Sequence, residues 1–212
     1  MGKAMNIHVI YGLLRGRFRT KRMRKVWDSF ALSKDTLVLD VGGSPHNWLL
    51  LPEQPRVVLL NIEPVEHSEM LSVVGDARRL PFKDKSFDVV FSNSLIEHLF
   101  TFQDQEQFAK ECRRVAERYF VQSPNQRFPI EPHLLTPLVH WLPKKARARL
   151  IRNFTVWGWL DRPDRHESER FVEEVRMLTP REMRVLFPEA EIWHERFLGL
   201  SKSVMAAKTS SG

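Results

Sequence analysis

The chain is predicted to fold as a doubly wound α/β protein with an N-terminal basic helix and a helical insertion after the fifth strand. Three observations lead there. Short, near-continuous apolar runs recur along the chain, each bounded by turn-forming residues, the pattern of strands buried on both faces of a parallel sheet. Segments of helical period lie between them, and strand–helix–strand alternation implies right-handed crossovers. The rhythm breaks over residues 123–172, where Pro and Trp accumulate.

Taken in order, residues 15–30 read as an amphipathic helix with Phe18, Met23, Val26, Trp27 and Phe30 at helical spacing. The first strand, residues 37–41, runs into the turn Gly42-Gly43-Ser44-Pro45; further apolar runs follow at 57–62, 70–74, 87–91 and 119–122. The clearest crossover helix spans 103–118, with Phe108, Cys112 and Val115 on one face. After the insertion, Thr179-Pro180-Arg181-Glu182 reads as a helix start, Thr179 as the cap and Pro180 at the first helical position. Two last strands, 191–194 and 199–207, would close the sheet. A single domain over 1–212 is expected, with 1–34 as the basic helical segment and 123–172 as a cap.

Composition narrows the class. Apolar residues at 42% and charged residues at 28% are those of a folded globular domain. The single cysteine, Cys112, rules out an intramolecular disulfide and a cysteine-based zinc site. There is no apolar run of about 18 residues, the length that would span a bilayer. The stretch 7–14 is short and stopped by Arg15, so the protein is expected to begin near Met1 and to stay in the cytoplasm. The net charge of +7 is local: residues 1–34 hold nine Lys and Arg against one acid, Asp28, which leaves the remainder at −1.

Open parallel sheets bind ligands beyond the carboxyl ends of their strands. The turn Gly42-Gly43-Ser44 after Asp40-Val41 lacks the G-x-G-x-x-G spacing and poorly serves a dinucleotide diphosphate. Glu63 lies 21 positions beyond Gly42, where an acid would bond ribose hydroxyls. Asp76 follows the third strand, where a carboxylate accepts from an adenine amino group while the amide of Ala77 donates to the ring; Asn93 and Ser94 end the fourth. Polar groups at consecutive strand ends mark one ligand site.

These segments, Val38-Leu39-Asp40-Val41-Gly42-Gly43, Asn61-Ile62-Glu63-Pro64, Gly75-Asp76-Ala77-Arg78-Arg79-Leu80-Pro81-Phe82 and the run from Ser86 to His98, resemble the class I S-adenosylmethionine-dependent methyltransferases, in particular the ubiquinone/menaquinone type. The resemblance covers roughly residues 36–122. It implies a Rossmann-like sheet of order 3-2-1-4-5-7-6 with strand 7 antiparallel, and S-adenosyl-L-methionine as cofactor, held by Asp40, Gly42, Gly43, Ser44, Asn61, Glu63, Asp76, Ala77, Asn93 and Ser94. Ser44 stands where the family has its second glycine and would narrow the methionine pocket. The family's acid falls on Asn61, and Glu63 is the favoured ribose ligand because a carboxylate accepts two hydroxyls.

The segment after the fifth strand would lie over the reactive methyl. There His133 and Glu131 are the candidate base and acceptor contacts, with His98 near the fourth strand end as a third. Cys112 sits mid-helix as a core residue, not a nucleophile, and no His/Asp/Glu group has metal-ligand spacing, so no metal is expected. Ser92-Asn93-Ser94-Leu95 also lacks the Asn/Asp-Pro-Pro-aromatic turn of exocyclic-amine nucleic-acid enzymes. The expected acceptor is a small molecule, methylated at oxygen or nitrogen and amphipathic or carboxylate-bearing. The aromatic and cationic insertion, with the N-terminal patch, would rest on an anionic membrane. Two alternatives stand: an RNA methyltransferase using residues 15–25 on phosphates, and a non-catalytic cofactor-binding scaffold. Nothing in the sequence fixes the oligomeric state.

Overall fold

The computed structural model describes residues 7–65 and 70–210, with side chains from residue 16 onward. Lys3, the side chain of Arg15 and the side chains of the 7–14 stretch therefore lie outside the described residues. Seven strands form one twisted sheet: β1 (Leu37–Val41), β2 (Arg56–Asn61), β3 (Leu71–Val74), β4 (Val89–Asn93), β5 (Arg118–Pro124), β8 (Glu191–Phe197) and β9 (Leu200–Lys208). Their order is β3-β2-β1-β4-β5-β9-β8. The first five are parallel, and β9 runs antiparallel to both β5 and β8. This is the expected order 3-2-1-4-5-7-6; the higher numbers arise because a two-residue ribbon, β6 (Ile130–Glu131) with β7 (Thr136–Pro137), intervenes.

Alternation along the strands builds two cores. Val38, Leu59, Val89, Phe91 and Phe120 face Met23, Val26 and Phe30 of α1 (Ile7–Ser29) and Trp48 of α2 (Pro45–Trp48). Leu39, Val41, Leu60, Val90 and Val121 face Phe108, Cys112 and Val115 of α3 (Phe102–Val115) and Met183, Leu186 and Phe187 at α7 (Pro180–Leu186). Cys112 is fully buried, and burial holds its thiol well above the ordinary range. Thr179 caps α7 in a reciprocal capping box with Glu182, satisfying two backbone donors at once.

Three details differ from the sequence expectation. The β1–β2 crossover is a single helical turn, because Pro52 and Pro55 remove donors that a longer helix needs. Strand β3 is not buried on both faces: it is the sheet edge, with Leu71 65% and Val74 57% exposed. An apolar run does not distinguish edge from centre. The insertion begins as an extension of β5 through Pro124 and then the β6–β7 ribbon before α4 (Lys144–Phe154), α5 (Val156–Asp161) and α6 (Arg165–Glu174) pack on a small core of Leu134, Val139, Ile151 and Val172.

Candidate functional site

The turn that leaves β1 is shaped by two glycines. Gly42 has φ +72°, and a Cβ there would lie 2.8 Å from Leu95. A Cβ on Gly43 would fall 2.1 Å from Cγ of Asp40. Asp40 is fully buried beneath the turn, accepting from Nε1 of Trp48 at 2.8 Å, while its other oxygen has no partner among the described residues. Burial pushes its carboxyl up to about 7 against the smaller opposing effect of the Trp48 bond. Asp40 thus supports the turn from beneath and is not an exposed contact on its surface. Ser44 caps α2, its Oγ accepting from His46 N at 3.4 Å. Ser44 thus serves as the start of that helix.

The next strand ends supply the remaining groups. Asn61 donates its amide to the carbonyl of Gly43 at 3.1 Å, tying β2 to the turn, and Glu63 is exposed. Asp76 is forked by Arg78: Nε reaches both carboxylate oxygens at 3.0 and 3.1 Å, and the Arg78 backbone amide donates at 2.8 Å. Arg78 also bonds Asp104 at 3.0 Å. The Arg78 bonds hold the Asp76 carboxyl below its ordinary value. The buried Ala77 follows it.

At the end of β4, Ser94 has φ +62°. This left-handed geometry costs an ordinary residue about 1 kcal/mol, and two bonds to Gln122 hold it, from Ser94 N to the carbonyl at 3.1 Å and from Oγ to Oε1 at 2.8 Å. Asn93 accepts from a residue that sequence reasoning missed. Arg22 of α1 reaches over the strand ends to Asn93, to Gln122 at 3.3 Å and, in a two-pronged ion pair at 2.8 and 2.9 Å, to Glu195 of β8. Within a run of cations nothing singled Arg22 out; only its burial does.

The candidate acceptor residues converge. Ile96–His98 forms one 3₁₀ turn after β4, anchored by the Arg176 amide on the Glu97 carbonyl at 2.7 Å and by Gln105 Nε2 on Ile96 O at 2.9 Å. His133 Nδ1 bonds Glu131 Oε1 at 2.7 Å, and the buried Glu131 also accepts from the amide of Leu134. The His98 and His133 rings meet edge to face, 5.2 Å between centroids. Burial lowers the His98 pKa, with His133 adding to the effect and Glu131 opposing it. Beneath both rings lies Glu97, which the sequence reading did not single out. Its side chain is completely buried, and neither carboxylate oxygen has a hydrogen-bond partner among the described residues. Burial pushes this carboxyl up to about 7. Beside the cluster, a cleft of about 290 Å³ is lined by Phe100, His140, Lys144, Arg147, Glu173 and Arg176. The larger cleft, about 370 Å³ by Arg113 and Tyr119, lies where β5 begins, at the opposite end of the sheet.

The residues present fit an adenosyl sulfonium ligand: backbone that a side chain would block at Gly42, an exposed carboxylate at Glu63, and polar groups at the ends of β2, β3 and β4. One adjustment is needed. The acceptor capacity of Asp76 is largely taken up by Arg78, whose 43% exposed side chain has room to turn away.

Comparison with known proteins agrees with this arrangement. Residues 49–118 match the family model described as a methyltransferase domain. A 43-residue stretch is 51% identical to norajmaline N-methyltransferase of Rauvolfia serpentina, spanning 20% of this chain and 14% of that enzyme. The match thus covers about a seventh of that relative's length. Magnesium protoporphyrin IX methyltransferase of Synechocystis, solved with bound SAH, superposes over 98% of this chain and 90% of its own, with a TM-score of 0.58 and 10% identity. A protein of Pyrococcus horikoshii superposes over 92% and 89%, with a TM-score of 0.54 and 22% identity. At such identities these structures establish the fold.

Proposed function

We propose that this chain, whose residues 49–118 match a methyltransferase domain and whose sheet has the class I order, is an S-adenosylmethionine-dependent methyltransferase acting on an oxygen or nitrogen of a small, carboxylate-bearing molecule. The observation that carries the reading is the row of polar groups at the carboxyl ends of neighbouring strands, on a sheet of order β3-β2-β1-β4-β5-β9-β8. When bound, S-adenosyl-L-methionine supplies an electrophilic methyl group on its sulfonium. Glu63 accepts the ribose hydroxyls, Asp76 and the Ala77 amide meet the adenine edge, and the Gly42–Gly43 backbone lets the methionine portion approach. His98, His133 and Glu131 make up the acceptor end, where they lower the cost of removing the nucleophile's proton. Lys144 and Arg147 outnumber Glu173 around the adjoining cleft, the third cation there, Arg176, being paired with Glu182, and this excess favours a carboxylate on the acceptor. The RNA-arm alternative is disfavoured because two of the arm's cations are engaged within the chain: Arg22 pairs with Glu195, and the exposed Lys25 lies 3.7 Å from the ring centre of Trp193.

Titration calorimetry should detect binding of S-adenosylhomocysteine to the wild type. Glu63→Ala, exposed and harmless to folding, should weaken it about tenfold, the loss of one charge-assisted bond. No heat with either the donor or its demethylated product would end the reading. Labelled donor with a cell extract then identifies the acceptor. With it in hand, His133→Ala should lower kcat about a hundredfold or more while donor affinity holds; equal small effects on both would remove His133 from the chemistry.

The insertion supports peripheral contact with an anionic membrane. Trp141, Phe154, Trp159 and Leu160 are exposed beside the exposed Lys145, Arg149 and Arg152. The protein should float with phosphatidylserine vesicles and not with phosphatidylcholine alone. Replacing Lys145 and Arg149 by Gln should weaken this about thirtyfold, at roughly 1 kcal/mol per cation. Equal binding to neutral vesicles would exclude an electrostatic surface contact. No helix among the described residues is long and apolar enough to cross a membrane.

A further inference from the structure

Glu97, His98 and His133 each present a ligand atom, and these atoms lie within 4.8 Å of one another. Sequence reading expected no metal, because 35 residues separate His98 from His133 and only the fold joins them. A carboxylate removed from water without a donor or counter-charge is among the most costly arrangements in a protein. Glu97 comes close to that case: it has no exposure and no hydrogen-bond partner among the described residues for either oxygen, and the nearby charges of His133 and Arg22 offset its burial only in part. The two imidazoles beside it are not its hydrogen-bond donors, so a species that both rings and the carboxylate can ligate would resolve the cost.

We propose that Glu97, His98 and His133 bind a divalent first-row transition-metal ion, with Glu131 as the orienting partner of His133. Three features support the assignment. Two imidazoles with one carboxylate suit Zn2+, Co2+ or Fe2+, whereas Mg2+ and Ca2+ favour all-oxygen sites. The Glu131–His133 bond of 2.7 Å is the carboxylate–histidine arrangement that orients metal ligands, placing the Nδ1 proton on Glu131 and the lone pair on Nε2. Glu131 is itself fixed by the Leu134 amide. Metal–ligand bonds of about 2.1 Å in tetrahedral geometry place two ligands about 3.4 Å apart, so atoms within 4.8 Å of one another must close by up to roughly 1.4 Å. The exposed His98 ring can supply that movement.

Three protein ligands leave coordination positions for a small oxygen donor, a hydroxyl or carboxylate. The role of that oxygen donor as methyl acceptor rests on the proposed function; the binding of the ion does not. The test therefore uses neither donor nor acceptor. Tag-free full-length protein, stripped with a chelator and dialysed, is titrated with ZnCl2 by calorimetry and with CoCl2 by visible absorption. One ion per chain is expected, with Co2+ ligand-field bands and no competition from excess Mg2+. His98→Ala, at an exposed position, and Glu97→Gln, of unchanged shape, should each weaken binding about tenfold or more, with circular dichroism reporting that both fold. No binding tighter than millimolar, or binding that both variants leave unchanged, overturns the proposal. Methyl transfer that persists in the stripped protein would separate failure of the ion's role from failure of the methyltransferase reading.

Discussion

Gly43→Ala is expected to destabilise the protein by at least about 3 kcal/mol, the upper range for forcing atoms into a packed core. The added methyl would stand 2.1 Å from Cγ and 2.2 Å from Oδ2 of Asp40. Neither side can yield easily. Asp40 is enclosed and held by Trp48, and the turn is tied to β2 by the Gly42 amide on Leu60 O at 2.8 Å and by Asn61 on Gly43 O. Urea unfolding measures the loss. The attribution is checked in a second background: if the clash is with the carboxylate, Gly43→Ala costs less than about 1 kcal/mol when Asp40 is already Ala. Equal penalties in both backgrounds would place the strain in the backbone instead.

The second large effect is on pH dependence. Folded Asp40 titrates near 7, above its ordinary 3.8. Between these values the folded chain holds a proton that the unfolded chain has released, so raising the pH favours unfolding. The protonated group's contribution is intact below about pH 4 and lost as pH climbs through 7, a difference of up to about 4 kcal/mol. Asp40→Asn keeps an acceptor for Trp48 and carries no titrating proton. Its stability relative to wild type should therefore rise between pH 4 and 8, then level off. Unfolding curves across that range test this, and parallel profiles for the two proteins would show that Asp40 ionises without penalty. Taking the difference removes Asp76, Asp104 and Glu111, whose lowered values act at more acid pH.

What was legible in the sequence follows from what is local. The strands, the capped start of α7 and the turn at Gly42–Gly43 depend on neighbours within a few residues, and the expected sheet order is the one observed. Glu63, Asp76 and Asn93 could be named because a parallel sheet sends its strand ends to one side. The edge position of β3 was hidden, since Leu71 and Val74 look alike whether covered or bare. The burial of Asp40 left a trace, an acid inside an otherwise apolar run. Glu97 left none: it reads as an ordinary acid in a loop, and its backbone is anchored by Arg176, far along the chain. Spacing rules find ligands one helix turn apart; they are blind to a pair joined by a tertiary crossing.

The two-pronged grip of Arg22 on Glu195 spans 173 positions of the chain. Ribosomal synthesis delivers α1 well before the β8–β9 hairpin, so the helix reaches its final seat only after all the intervening strands have been made. Until then Met23, Val26 and Phe30 lack part of the surface that covers them. The nascent chain thus carries an uncovered greasy stripe next to a string of cations throughout translation, and shielding it from other chains falls to the charges and to whatever chaperone attends the exit tunnel.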